Sequence, residues 1–308
     1  MHTVFRVNTI EKMDNKNQLY QVNLQLTSDD DHQLRLLTDR IRKEARGSTG
    51  WHRLGKLLLT IGQFNKAEEL YNVLLEQTSD ESEKAVYYNR LGVVHGNQGD
   101  YEKAIWYNEQ GLKISEKNLP SNHLDLAASY SNIGSVYNKL GEYSKAISSH
   151  EKALEILQKT LPTNPLHLAT SHSNIGGVYD NMGEYSKALL SHEKAFEIRQ
   201  KTLPSNHPDL ATSYNNIGLV YDNMGEYSKA LSSHERALGI FQKSLSSNHP
   251  HLAASYWSIG SVYNNMKDYS KALSYSERAL DIFQRALPPT HPHIKFVEDS
   301  IEVVKKKF

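Results

Sequence analysis

The chain has no cysteine at all. Disulfides, thiolate metal sites and cysteine nucleophiles are therefore excluded, and the composition suits a reducing compartment, with the cytoplasm as the expectation. An excess of charge of one sign is missing too: Lys plus Arg and Asp plus Glu stand at 35 each. Non-specific nucleic-acid or membrane-surface binding needs a basic surplus, so neither class of partner is expected. No segment approaches the ~20 apolar residues of a membrane span. The opening Met1-His2-Thr3-Val4-Phe5-Arg6 lacks the charged-then-apolar plan of a signal peptide.

What the chain does have is a period. Leu91-Gly92, Ile133-Gly134, Ile175-Gly176, Ile217-Gly218 and Ile259-Gly260 follow one another at steps of 42 residues. A period of this size signals a stacked repeat array, in which each unit packs only on its neighbours. Such an array presents a long surface and does not converge side chains into a reactive pocket, which points first to a binding scaffold.

The unit from Asp209 to His249 shows how one repeat is built. Leu210, Tyr214, Ile217, Gly218, Tyr221 and Met224 are spaced by three and four residues, the apolar stripe of an amphipathic helix. Gly218 on that stripe costs about 1 kcal/mol relative to Ala in a helix interior. Its return in five units argues that a close helix contact requires it. Gly225-Glu226 breaks the pattern as a turn, and Tyr227, Ala230, Leu231, His234, Ala237, Leu238, Phe241 and Leu245 resume it. Ala230 and Ala237 are the small residues expected at the helix crossing. Ser246 to Pro250 closes the unit, with Asn and Ser expected to cap and Pro to start the next helix. Each unit is thus a helix hairpin.

This pattern resembles the tetratricopeptide repeat. Tyr130, Ile133-Gly134, Tyr137, Gly141, Tyr143, Ala146 and Ala153-Leu154 meet it, and Trp51, Leu54-Gly55, Gly62, Phe64, Ala67 and Tyr71 meet it more closely in the first unit. The 42-residue form, with Asn206-His207-Pro208 before Asp209-Leu210-Ala211, is similar to the repeats of kinesin light chains. The resemblance implies six units over 50–290. A last stripe of Ile294, Val297, Ile301 and Val304 over 291–308 reads as the capping helix an array needs, and Lys305 to Lys307 as a solvated tail.

The first residues do not follow the period. Tyr20, Val22, Leu24 and Leu26 alternate with polar residues, as in a half-buried strand, and Val4 to Thr9 suggests a second strand. Asp14 to Asn17 is turn chemistry, so 1–28 reads as a β-hairpin. A helix from about Asp30 to Arg46 within a linking segment, 29–49, follows. The run from Met1 to Val7 and that from Leu24 to Asp29 look similar to the last strands of arginine-specific mono-ADP-ribosyltransferase domains. The catalytic Arg, strand Ser and Glu-x-Glu pair of that family have no counterpart here. The resemblance then implies a truncated or separately encoded tail, and no cofactor is expected.

Chemistry elsewhere is not expected either. Fifteen histidines invite a metal hypothesis, yet no spacing places two of them on one helix face as ligands. His123, His207, His249 and His291 sit in connections, and His150, His192 and His234 recur on second helices. Ser149-His150, Ser191-His192 and Ser233-His234 suggest a nucleophile and base, but adjacent helical residues do not face each other.

In arrays of the resembled family the first helix of each unit lines a concave face. In the Asp209 unit that face carries Thr212, Asn215, Asn216, Leu219, Asp222 and Asn223, and Asn216 recurs as Asn132 and Asn174. In kinesin-light-chain-like arrays the corresponding asparagines clamp the backbone of an extended peptide. An amide can both donate and accept, so it satisfies a main chain whatever the side chains. Arg53, Lys56, Arg90 and Lys139 make the N-terminal end of the face basic, Asp180 and Asp222 lie farther along, and Trp257 stands near the far end as an exposed anchor.

The expectation is an all-α solenoid of six helix hairpins with a capping helix and a short N-terminal β-hairpin. It binds a protein or an extended peptide, acidic with an apolar anchor, without catalysis, cofactor or metal. Two alternatives stay open: the repeat tail of an ADP-ribosyltransferase, and a kinesin-light-chain-like cargo adaptor. The adaptor ranks lower because no coiled-coil heptads precede the repeats.

Overall fold

The computed structural model describes residues 5–12, 20–26, 50–60, 62–160, 165–289 and 291–307. Strands β1 (Phe5–Lys12) and β2 (Tyr20–Leu26) pair antiparallel, Phe5 opposite Leu26 and Lys12 opposite Tyr20, with an irregularity of register between Val7 and Thr9. β1 runs three residues past Thr9, where the alternation was expected to end. The expected turn at Asp14 to Asn17 and the helix from about Asp30 to Arg46 lie outside the described residues.

Thirteen helices follow among the described residues: α1 (Gly50–Thr60), α2 (Phe64–Gln77), α3 (Glu81–Gln98), α4 (Tyr101–Asn118), α5 (Leu124–Lys139), α6 (Tyr143–Lys159), α7 (Pro165–Asn181), α8 (Tyr185–Thr202), α9 (Pro208–Asn223), α10 (Tyr227–Ser244), α11 (Pro250–Asn265), α12 (Tyr269–Ala286) and α13 (Pro292–Lys305). They pair as six hairpins, α1/α2 through α11/α12, and α13 packs mainly on α12. Successive first helices, from α3 through α5, α7, α9 to α11, touch one another, whereas successive second helices do not come as close. The first helices therefore form the tighter, inner layer of a curved stack.

The 42-residue glycine is explained by what lies over it. A Cβ built on Gly134, Gly176 or Gly218 would stand 2.8 Å from the ring of His150, His192 or His234. Each histidine lies on the second helix of the same hairpin and is buried. Gly92 and Asn108 form the same notch, as do Gly55 and Tyr71, and Gly260 and Ser276. The side chain seated there sets how closely the two helices approach, and overfilling a packed site costs about 1–3 kcal/mol. Ala146, Ala153, Ala188, Ala230 and Ala237 are fully buried at the same crossings.

Turns and caps follow local rules with two departures. Gly141, Gly183 and Gly225 take positive φ between the two helices of their hairpins, and in the sixth unit Lys267 occupies that position with φ 65°. The helix caps differ from expectation. The Nδ1 atoms of His123, His207, His249 and His291 accept from the backbone N–H two residues on, at 3.1–3.2 Å. Histidine rather than Asn or Ser thus supplies the N-cap: its Nδ1 sits at about the reach of an Asx oxygen and takes up one of the orphan donors of the first turn. Pro208, Pro250 and Pro292 follow at the first helical position.

The stripe is mostly where the periodicity puts it. Leu210, Ile217 and Phe241 are buried, as are Ile294, Val297, Ile301 and Val304 of α13. Met224 is an exception: it is the C-cap of α9 and exposed. In α13, Glu302 stands at the position of the notch glycine and is exposed. A carboxylate there does not form the notch that glycine forms in the other first helices.

Candidate functional site

The inner face is set by first-helix residues one position before the Ile-Gly pair. Asn132, Asn174 and Asn216 stand there on α5, α7 and α9, each half-buried. Among the described residues none of the three side chains takes part in a hydrogen bond. Their polar neighbours differ. Asn215 donates to Ser255 Oγ at 3.1 Å and its Oδ1 faces His234 Nδ1 at 3.0 Å. Thr212 donates to the Pro208 carbonyl of its own helix.

At the helix ends a second amide series runs along the stack. Asn181 donates to Asn138 at 3.0 Å, Asn223 to Asp180 at 2.9 Å and Asn265 to Asp222 at 3.0 Å, each across 43 residues. Lys139 donates to the Gly96 carbonyl at 3.2 Å and Lys307 to Asn264 at 3.4 Å in the same register. Lys139 thus links two units at the end of α3, and Lys307 ties the tail to α11. Asp180 and Asp222 are likewise held from the following unit. Burial raises their carboxyl pKa values, and the hydrogen bonds from Asn223 and Asn265 act against that shift. This ladder was missed in the sequence, although its signal, Asn or Lys following Asp, Asn or Gly by 43 residues, is present.

The N-terminal end of the face carries exposed Arg90 on α3 and exposed Lys56 on α1; the side chain of Arg53 lies outside the described residues. Arg90 and Asn132 meet at a cavity of about 280 Å³ walled by apolar Ala85, Val86, Ile114 and Leu119 and by polar Asn89, Asn118 and Asp125. Its origin is on α4. The positions filled by Leu157, Phe241 and Phe283 in later units are taken here by Ser115, which is buried, and those of Ala153, Ala237 and Ala279 by Gly111. Ser115 leaves space between α3 and α5 that larger residues fill elsewhere, whereas a Cβ at Gly111 would meet Asn89 at 2.8 Å.

At the far end Trp257 is half-buried, not exposed as expected. Its ring lies 5.2 Å from that of Phe296 on α13, and Phe296 is 54% exposed. The terminal helix thus shares the apolar patch, a contribution that only a contact in space reveals. Leu219, on the same face as Asn216, is also exposed.

His150, His192 and His234 pack over the notch glycines. Ser149 and Ser191 donate to the Lys145 and Lys187 carbonyls of their own helices. His150, His192 and His234 are pushed down to about 4 by burial, so each ring is neutral over its glycine at neutral pH. Among the described residues no group of three or more His, Asp or Glu is placed to hold a metal ion, and no helix is long and apolar enough to cross a membrane.

Comparison with known proteins places this architecture. The tetratricopeptide-repeat model matches residues 83–159, 167–243 and 209–285. No curated protein matches the chain. Among solved structures, the fold is similar to BtubC (BKLC) from P. vanneervenii, at 23% identity over 80% of this chain and 95% of that one, TM-score 0.56. It is similar to the nearly identical TPR-like repeats of a Podospora anserina kinesin light chain, at 25% identity over 67% and 97%, TM-score 0.53. A Rap protein complexed with Competence and Sporulation Factor is similar at 16% identity over 88% and 80%, TM-score 0.60. The family is one of protein-interaction scaffolds. With the model matched over more than half its length, the chain belongs to the tetratricopeptide-repeat family.

Proposed function

We propose that the inner, first-helix face binds an extended segment of a partner protein, without catalysis. One observation carries the reading. Asn132, Asn174 and Asn216 have no side-chain hydrogen bond among the described residues, while Asn215, Asn223, Asp180 and Asp222 beside them each have a partner. Three half-buried amides in register fit a main chain that supplies both donors and acceptors. A Rap protein complexed with Competence and Sporulation Factor shares the fold, which supports partner binding by an array of this kind.

The amides alone bind weakly. Three net hydrogen bonds at roughly 0.5–1.5 kcal/mol each fall short of the about 8 kcal/mol of micromolar affinity. Two apolar anchors at about 1.5–3 kcal/mol each narrow the gap, and the face offers one at each end: the cavity beside Arg90, and Trp257 with Phe296. The ligand proposed is therefore acidic toward Arg90, Lys56 and Arg53 and apolar toward Trp257, and the cytoplasm is the proposed setting. Selection of a displayed peptide library against the wild type and an Asn132→Ala/Asn174→Ala/Asn216→Ala variant tests this. Loss of enrichment with an unchanged helical spectrum is expected, and equal enrichment rules the ladder out.

The paired strands β1 and β2, which lie outside the repeat period, support a second reading: the repeat tail of an arginine ADP-ribosyltransferase, with the groove choosing its target. The intact mass of the native protein distinguishes it, because that reading requires upstream sequence bearing the catalytic residues. A kinesin-light-chain-like adaptor is a special case of the first reading and shares its test.

A further inference from the structure

One second-helix core position varies widely in size and polarity between units. It holds Ser115, Leu157, Arg199, Phe241 and Phe283, all buried. In the fourth unit a guanidinium thus takes the place of an aliphatic or aromatic plug. Arg199 keeps only 7% of its surface. Its Nη1 donates to Ser173 Oγ on α7 at 3.2 Å and to Ser213 Oγ on α9 at 2.7 Å, so it lies between two first helices, beside the residue next to Asn174.

Its charge is not balanced there. Among the described residues no carboxylate forms an ion pair with it. Burial lowers its pKa, and Asp209 acts against that shift only from beyond ion-pair distance. A guanidinium stays charged in any protein, and removing an unpaired ion from water costs several kcal/mol. Two hydroxyl dipoles on one nitrogen do not offset that cost. Among the described residues Nε and Nη2 have no partner, and neither is fully sealed from solvent. They are the adjacent pair of donors that a carboxylate takes in a forked contact.

We propose that Arg199 is a carboxylate-binding anchor in the floor of the inner face between the fourth and fifth units, taking an acidic side chain or the free C-terminus of the bound segment. The inference rests on the groove reading for its natural ligand, but the anion site itself does not. Arg199→Leu is the informative variant, because Leu157 fills the equivalent position of the third unit. It keeps the helical fold and melts no lower than the wild type, since an uncompensated charge is removed.

The test uses the full chain with 15N-labelled arginine. Sodium acetate is titrated against sodium chloride at matched ionic strength, and the Nε–H signal of Arg199 is identified by its loss in Arg199→Leu. A saturable shift of that signal with acetate, absent for exposed Arg90, is expected. A response no different from that of Arg90 overturns the proposal. Peptide selection then reads the source of the carboxylate, one library displayed with a free C-terminus and one with it blocked. Enrichment of an acidic residue at one register in both libraries points to a side chain, and enrichment in the free library alone points to the terminus. In either case affinity falls roughly 10- to 100-fold in Arg199→Leu. Equal acidic enrichment against Arg199→Leu overturns the anchor and leaves the groove standing. An acetate shift without any peptide selection supports the anchor and counts against the groove.

Discussion

Acid should loosen this fold through three rings. His150, His192 and His234 are buried over Gly134, Gly176 and Gly218 and have pKa values moved from 6.5 to about 4. The folded pKa lies below the unfolded one, so above about pH 6.5 the rings are neutral in both states and impose no penalty. As pH falls below 6.5 the unfolded chain takes up protons that the native chain refuses, and stability drops until about pH 4. At 1.36 kcal/mol per pKa unit each ring contributes up to roughly 3 kcal/mol and the three together up to about 10 kcal/mol, the scale of a whole domain's stability at about 5–15 kcal/mol. Local opening of the array makes this an upper limit. Exposed Asp100, Glu155, Glu197 and Asp268, held low by neighbouring lysines, lose their contribution only at lower pH, as they protonate. Asp180 and Asp222 have raised values and act in the opposite direction. The control is His150→Asn/His192→Asn/His234→Asn, because Asn108 fills the same notch over Gly92. Urea midpoints followed by far-ultraviolet circular dichroism from about pH 7 to about pH 4.5 should fall steeply for the wild type and far less for the variant. Equal slopes would refute the assignment of the acid sensitivity to these rings.

Gly218→Ala should lose about 1–3 kcal/mol, because the new methyl meets the His234 ring at 2.8 Å; a urea midpoint equal to wild type contradicts the notch. Lys267→Gly should gain roughly 0.5–1 kcal/mol, the relief of a left-handed lysine less the added freedom of glycine in the unfolded chain; chemical denaturation measures it, and a loss of stability contradicts the strain. Trp257→Ala should weaken a library-selected peptide by roughly 10-fold or more while α13 keeps its amide protection through Ile294 and Val297. Loss of that protection would instead assign the ring to packing.

The period made the fold readable in advance. Glycine, alanine and tyrosine recur because each first helix must meet its partner at the same distance, so Ile217, Gly218, Ala230 and Phe241 are legible from spacing alone. Contacts between units were less legible. The bonds from Asn223 to Asp180 and from Asn265 to Asp222 join residues that look like a polar groove lining when a single unit is read. Trp257 looked exposed because its neighbour Phe296 belongs to a helix outside the repeat. The histidine caps were hidden by the stronger expectation for Asn and Ser, as at Ser247 and Asn248 beside His249. Arg199 passed unnoticed because only its alignment with Leu157 and Phe241 shows that a charge occupies a core position.

The central claim is that binding belongs to the first-helix layer. A photo-crosslinking residue placed at Leu219 on that layer, or at Leu190 on the second-helix layer, is the direct measurement, since both positions are exposed. With a biotin-tagged peptide selected on the wild type, covalent capture at position 219 and none at 190 is predicted. Capture at 190 alone would place the partner on the outer surface and contradict the account.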